Sequence, residues 1–597
     1  MADAVRRFAG ANVKDYGGIG GLKTVSVRNM GAAHTAVSYD GVVVSNCQAG
    51  QIDIGRFSLD NVSVLSLNIG QPEDLLQSAR MYASAGVLSI ETEKPHFENE
   101  RNSAFRVQMR GGSFGYVSPS IRWWQKAGSR TSFSLNGNYM RADGNYPFTL
   151  VNGKYVTEEK RNNSAIYTYQ IEPTLFHTFK DSSNLELKAY YFYSKRGLPG
   201  SVTLYNPISD ETLWDENVFI QTRYKKDFSQ KWSLQAQAKY NHGWNKYEDK
   251  GNEYADGLYR AVHRQDEYYL SATALYHPWN VLSLSLAQDG IINKLRSNLP
   301  DCPFPIRYTS LTAFNARYRQ GRITATGSLV YTNVTEHVKI GDAPADFQRL
   351  APSFTVSLQP WQEQLLFLRL MYKSTFRMPT FNDLYYYRLG NRSLRPEKAN
   401  EYNMGITWSR SFSSFLNYLS VTVDGYYNDV TDKIVAFPTT YAWKMANYGK
   451  VHVTGMDATL AAAASLGKNT VLVVSGGYTW QKAIDLTDAT SKSYKDQLPY
   501  TPKHSGNVSA VLEMPWVNVG YSIVGVSERY SMSQNIPENR IDGYMEHTVS
   551  LSRNFSFRHC KLRLQAEIIN LTDTQYDVIK YYPMPGRSWR LTGTIEF

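Results

Sequence analysis

Near the end of the chain, Leu562, Leu564, Ala566 and Ile568 alternate with Lys561, Arg563, Gln565 and Glu567. Successive side chains of a β-strand point to opposite faces, so this stretch has one wholly apolar face and one charged face. The same period recurs from Phe105 onward. Phe105, Val107 and Met109 alternate with Arg106, Gln108 and Arg110; Leu234, Ala236, Ala238 and Tyr240 with Gln235, Gln237 and Lys239; Val517, Val519, Tyr521 and Ile523 with Asn518, Gly520 and Ser522. The last strand runs to the final residue, with Trp589, Leu591, Gly593, Ile595 and Phe597 on one side and Arg590, Thr592, Thr594 and Glu596 on the other. Such a strand is an aggregation hazard at the edge of a soluble sheet, but it closes a barrel. A Lys or Arg facing lipid at mid-bilayer costs roughly 2–4 kcal/mol, so the charged face must look into a wet lumen. A soluble sandwich also alternates, but its turns come about every 8–12 residues.

The mean hydropathy is −0.42 and no run of about twenty apolar residues exists, so transmembrane helices are not expected. Barrel strands leave a weak hydropathy trace, because only alternate residues must be apolar. Aromatics make up 13% of the chain, and 43 of them are tyrosine, a residue suited to membrane interfaces. A carbohydrate-binding or propeller protein shares that bias. Some connections are short, such as Gly467-Lys468-Asn469. Others read as long polar loops: 141–163, 195–217 and 241–264. Short turns at one end and long loops at the other are the outer-membrane pattern. About 500 residues at roughly 22 per strand and connection gives about 22 antiparallel strands, the size whose lumen is plugged.

Residues 1–95 differ. They are glycine-rich (Gly17, Gly18, Gly20, Gly21), with strands expected at Thr24 to Val27, Thr35 to Tyr39, Val42 to Val44, Ser63 to Ile69 and Val87 to Thr92. Asp40-Gly41 is a strong turn signal, and Leu75 to Tyr82 reads as a short helix. The expected architecture is therefore an all-β membrane barrel of about 22 strands over 96–597, with an α+β plug domain over 1–95 in its lumen.

Val27-Arg28, Tyr39-Asp40-Gly41-Val42 and Ala83-Ser84-Ala85-Gly86-Val87-Leu88-Ser89-Ile90-Glu91-Thr92 resemble the plug of TonB-dependent outer-membrane receptors. The resemblance continues through Arg196-Gly197-Leu198-Pro199-Gly200, Phe376 to Tyr385, Leu394-Arg395-Pro396-Glu397, Asn447-Tyr448-Gly449 and Asn570-Leu571-Thr572-Asp573. It covers essentially the whole chain. Family plugs carry a Glu and a Gly-Pro where this chain has Ser66 and Gly70-Gln71, and paired glycines near Ser84-Ala85. The Lys14 to Gly18 run resembles receptors of the Bacteroidetes, and the pattern is nearest to cobalamin and iron-chelate receptors. The resemblance implies a Gram-negative outer-membrane transporter that takes up a scarce small-molecule chelate (ferric siderophore, haem or cobalamin) with a TonB-type motor. A surface lipoprotein is a further partner to consider, beside outer-membrane lipid. Met1-Ala2-Asp3-Ala4-Val5-Arg6-Arg7 offers no apolar export signal. With the plug's opening and the TonB-contact segment also missing, an N-terminally truncated chain is expected.

No nucleophile elbow, Walker loop or paired cysteine motif appears, so no catalysis and no cofactor are expected. Cys47, Cys302 and Cys560 form neither a disulfide framework nor a zinc spacing. The formal net charge of +11 is dispersed without a basic cluster, which argues against nucleic acid. The candidate ligand-binding residues are His34, Asn46 and Gln48 on two plug apices, and Tyr385, Tyr386, Arg388 and Trp443 on barrel loops. They combine polar mobile loops with aromatic faces and a cation. None is expected to ligate a metal directly. Arg28 and Asp40 are candidate plug–barrel contacts, with Arg28 expected to pair with barrel acids. The alternatives are a passive porin or adhesin, an outer-membrane enzyme, and an oligosaccharide or peptide receptor of the same family.

Overall fold

The computed structural model describes every residue except 71, 73, 98–100, 153, 203–208, 252, 253, 255, 388, 414, 439–442 and 448; the side chains of 152, 436–438, 443 and 444 are likewise left aside. Gln71, Arg388 and Tyr448, and the side chain of Trp443, thus lie outside the described residues.

Twenty-two antiparallel strands form one closed barrel, from Ser103–Gly112 to Ser588–Glu596. The last strand closes on the first through pairs such as Leu591↔Gly111 and Ile595↔Val107. Phe597 and Phe105 exchange backbone hydrogen bonds at 2.9 and 3.4 Å, so the terminal aromatic stave is paired rather than an open edge. Turns such as 280–281, 321–322 and 468–469 lie at one end; the longer connections, several carrying their own hairpins, lie at the other. Family geometry makes the long-loop end the outer face.

The stretches 195–217 and 241–264 are not loops. Strands Asn184–Leu198, Glu211–Asp227, Trp232–Lys250 and Leu258–Trp279 run through them and leave only 199–210 and 251–257 as connections. Beyond the bilayer both faces of a strand are wet, so the apolar period vanishes while the hydrogen-bond ladder continues. The stretch 141–163 likewise contains a hairpin, Pro147–Asn152 with Tyr155–Lys160.

Outward and inward faces make opposite demands. Leu460 is 40% exposed on the apolar outer face, midway along Lys450–Gly467, and the neighbouring Ala461 points inward. Leu460→Arg is expected to lower folding stability by about 2–4 kcal/mol, and Ala461→Arg by far less. Urea unfolding in lipid vesicles measures both; equal costs would mean that lipid does not touch the Leu460 face.

The plug sheet has the order Val42–Val44, Thr35–Tyr39, Gly86–Thr92, Val62–Ile69, with the middle pair parallel. Asp40 and Gly41 both have positive φ (49° and 79°), as a two-residue hairpin turn requires. Ala11–Asp15 pairs with Lys23–Val27 in a second small sheet that the sequence did not suggest. The helix is shorter than expected, Ala79–Ala83. The barrel captures the carbonyls just before it. Ser285 Oγ donates to Leu75 O (2.8 Å), Gln235 Nε2 to Leu76 O (3.1 Å) and Thr273 Oγ1 to Gln77 O (3.0 Å). Those acceptors are unavailable to a helix. Asp289 receives the first helical amides, Ala79 N and Arg80 N, at 3.2 and 2.8 Å.

Candidate functional site

The plug presents two turns toward the outer mouth. In the first, 45–50, the Asn46 side-chain oxygen accepts from Gln48 N (3.1 Å) and Ala49 N (3.0 Å), which closes the loop on itself. The barrel holds it from one side. Ser45 donates to Glu267, Cys47 Sγ to Gln265 Oε1 (3.3 Å), and Asn245 Nδ2 to Gln48 Oε1 (2.9 Å). Burial pushes the Cys47 thiol up to about 12, so it is an inert packing group.

A short helix of the barrel, Phe381–Tyr385, holds the loop from the other side. Thr380 and Asp383 cap it reciprocally. Its free amides Phe381 N and Asn382 N donate to Cys47 O (3.1 Å) and Gln48 O (2.9 Å). Groups that a helix end leaves unpaired are thus satisfied by the plug.

The second turn, at 31–34, joins the same network. His34 Nε2 lies 2.6 Å from Glu397 Oε2. Arg377 donates to Glu397 Oε1 (2.7 Å) and to Asp383 Oδ2 (2.6 Å). Lys433 Nζ reaches Met30 O at 3.1 Å. The path His34–Glu397–Arg377–Asp383–helix–Cys47 is closed: both plug turns are tied together through one barrel loop. His34 is 5% exposed. Burial lowers its pKa below the ordinary imidazole value, against the pull of Glu397, so the neutral ring donates its Nε2–H. The ring is committed to the wall and is closed to solvent.

Below the mouth, Arg28 Nε donates to Asp457 Oδ2 at 3.0 Å and its guanidinium lies 4.0 Å from the Tyr426 ring centroid. Asp40 accepts from Lys188 Nζ (2.5 Å) and Thr92 N (2.7 Å). Lys373 Nζ donates to Gly70 O (2.7 Å) and Ser84 O (2.6 Å), and Lys239 Nζ to Val43 O (3.2 Å). The plug is therefore held largely by polar contacts, beside apolar patches such as Tyr39 with Phe57, Tyr190 and Phe219. Across the barrel from the helix, a cavity of about 880 Å³ separates the plug from wall residues Arg110, Arg563, Glu567 and Arg590. Among the described residues no cluster of His, Cys, Asp and Glu could hold a metal ion.

A family model described as "TonB dependent receptor-like, beta-barrel" matches residues 122–571. The chain belongs to the TonB-dependent receptor family. Its barrel is of the Gram-negative outer-membrane type, and the family comprises receptors and transporters, not enzymes. Solved structures agree in fold at low identity. The copper transporter OprC superposes with a TM-score of 0.79 at 16% identity, over 100% of this chain and 95% of that one. The FrpB iron transporter of Neisseria meningitidis (F3-3 variant) gives 0.78 at 14%, over 100% and 96%. The unliganded ferric citrate transporter FecA gives 0.79 at 12%, over 100% and 94%.

In this TonB-dependent receptor, the candidate residues fall into two groups. His34, Asn46 and Gln48 are bound up in the latch. Tyr385 joins them behind the helix: its hydroxyl donates to Glu336, which also accepts from Arg307 at 2.7 Å. Tyr386 is 37% exposed. Its hydroxyl bonds to Tyr259, which packs against Tyr254 (ring centroids 5.6 Å apart) and Tyr247 (6.1 Å). Trp443 opens the strand Trp443–Asn447. The sequence pointed to neither the Tyr247–Tyr254–Tyr259 cluster nor the Arg377–Glu397 bridge. The tyrosines lie in the stretch read as a loop, and the bridge joins residues that only barrel closure brings together.

Proposed function

We propose that this receptor imports a metal chelate (a ferric siderophore, haem or cobalamin) across the outer membrane, with residues 1–95 as the plug and 96–597 as the barrel. Cargo settles on the aromatic wall of the mouth, at Tyr386, Tyr259, Tyr254 and Tyr247, where flat or catecholate groups can stack. Its arrival displaces the 378–396 loop, and the latch passes that displacement to both plug turns. A TonB-type partner then draws on a plug already loosened from above. The observation that carries this reading is the closed hydrogen-bond path from His34 through Arg377 to Cys47. The copper, iron and ferric citrate transporters among the structural neighbours support a metal cargo.

Growth of a gene-deletion strain on limiting iron or cobalamin, one chelate at a time, tests it. Slow growth on at least one chelate, restored by the gene and abolished by removing TonB, is expected. Wild-type growth on every chelate would overturn the cargo assignment.

A further inference from the structure

The outer wall of the barrel carries a feature that uptake does not use. A groove of about 300 Å³ opens on the lipid-facing side between Tyr268 and Tyr308. Its floor is Gly290, where an added Cβ would meet nothing within 4 Å. Leu270 stands beside Gly290 on the neighbouring strand, 66% exposed, and Ile292 lies one step further out. A strand glycine here leaves out a side chain that the outer face would otherwise use to fill its surface.

The next steps toward the outer end are basic. Asp266 pairs with Lys294, and beyond it Arg264 sits directly opposite Arg296. Like charges facing each other across two strands repel, so the pairing costs stability unless an anion lies between them. Asp266 does not fill that role for all three cations. Its carboxylate is shared among Arg296 (3.0 Å), His242 (2.8 Å) and the Tyr240 hydroxyl (3.0 Å). Lys294 Nζ lies 5.3 Å from the Tyr268 ring centroid, directly above the groove. Arg264 is exposed and has no acidic partner among the described residues.

We propose that this face binds one phosphate-bearing lipid of the outer leaflet. An acyl chain fills the groove over Gly290, and the phosphate sits between Arg264, Arg296 and Lys294. The guanidinium fork suits phosphate oxygens, and the apolar groove supplies what a free anion could not use. The site turns its back on the lumen, so it anchors or orients the barrel in its leaflet.

The test uses the full chain purified in detergent, with diphosphorylated lipid A, its dephosphorylated form and inorganic phosphate as probes, and native mass spectrometry as readout. The wild type is expected to retain one diphosphorylated lipid per chain and to bind the dephosphorylated form at least tenfold more weakly. The double variant R264Q/R296Q loses at least tenfold in retention. Gly290→Leu does the same without a change of charge, and R264K/R296K keeps binding. Heat-modified gel migration confirms that each variant is folded. Undiminished retention in both R264Q/R296Q and Gly290→Leu would overturn the site. Equal binding of the dephosphorylated lipid would reduce it to apolar adsorption, and complete displacement by millimolar inorganic phosphate would make it a free-anion site; either result rejects the proposal.

Discussion

Lys188→Ala is expected to free the lower half of the plug from the wall while the barrel stays closed. Lys188 is 1% exposed, with Nζ 2.5 Å from Asp40 Oδ2 and 3.7 Å from Glu172 Oε2. It also donates to Thr92 Oγ1 at 3.0 Å, and Tyr39 donates to Glu172 at 2.7 Å. Removing the cation leaves two carboxylates buried without it. Breaking such a pair costs about 3–5 kcal/mol. At about 1.4 kcal/mol per power of ten, local opening rises at least a hundredfold. Hydrogen exchange at 35–44 and 86–92 reads it, and entry of a large antibiotic follows. The charge-free triple variant Lys188→Met, Asp40→Asn, Glu172→Gln should recover much of the protection, since it strands no ion. Wild-type exchange rates in Lys188→Ala would refute the anchor.

The same anchor sets an acid limit. Burial alone would raise the Asp40 pKa, but Lys188 and Thr92 outweigh it and hold the carboxyl below its ordinary 3.8. A depressed carboxylate contributes stability above the unfolded value and loses it as pH falls through the folded one. The wild-type plug therefore holds until the pH drops below 3.8, whereas Lys188→Ala, without the counter-charge, begins to loosen at a higher pH. Plug-specific proteolysis across pH 3–6 distinguishes the two.

What the sequence made legible follows from local rules. Leu562 to Ile568 alternate because one face meets lipid, and that demand shows wherever the bilayer reaches. Asp40-Gly41 was legible because a two-residue hairpin needs positive φ. The strand ends above the membrane were not, because Asn241 to Lys250 has no apolar face to betray its period. Lumen lysines were read only as wet. Lys188 and Lys373 are in fact 1% exposed, sealed beneath the plug, and a period of two cannot tell water from a polar domain. Thr380 and Asp383 wrote the capping box locally, yet what that helix holds lies at Cys47 and Gln48, over three hundred residues earlier.

The second large effect is expected from Arg377→Ala. One guanidinium serves Glu397 and Asp383, both nearly buried, and so joins the His34 turn to the helix that grips Cys47 and Gln48. Its loss leaves two acids facing each other and strips the helix cap of its counter-charge. The cost approaches the 3–5 kcal/mol of a broken buried pair, reduced by the partial exposure of the arginine, to about 2–4 kcal/mol. Amide exchange should rise together at 31–34, 45–50 and 381–385, and chelate uptake should fall at least tenfold. The urea midpoint of the barrel should not move, because its ladder is untouched. Arg377→Lys should restore little, since an ammonium cannot span both carboxylates as a planar fork does. Arg395→Ala is the control. Its pair with Asp432 (2.6 Å) lies at the surface with the arginine 69% exposed, where such bridges contribute about 0–1 kcal/mol. If the three segments loosened independently in Arg377→Ala, or only 381–385 responded, the two plug turns would not be coupled through this loop. Cargo sensing would then need another route to the plug.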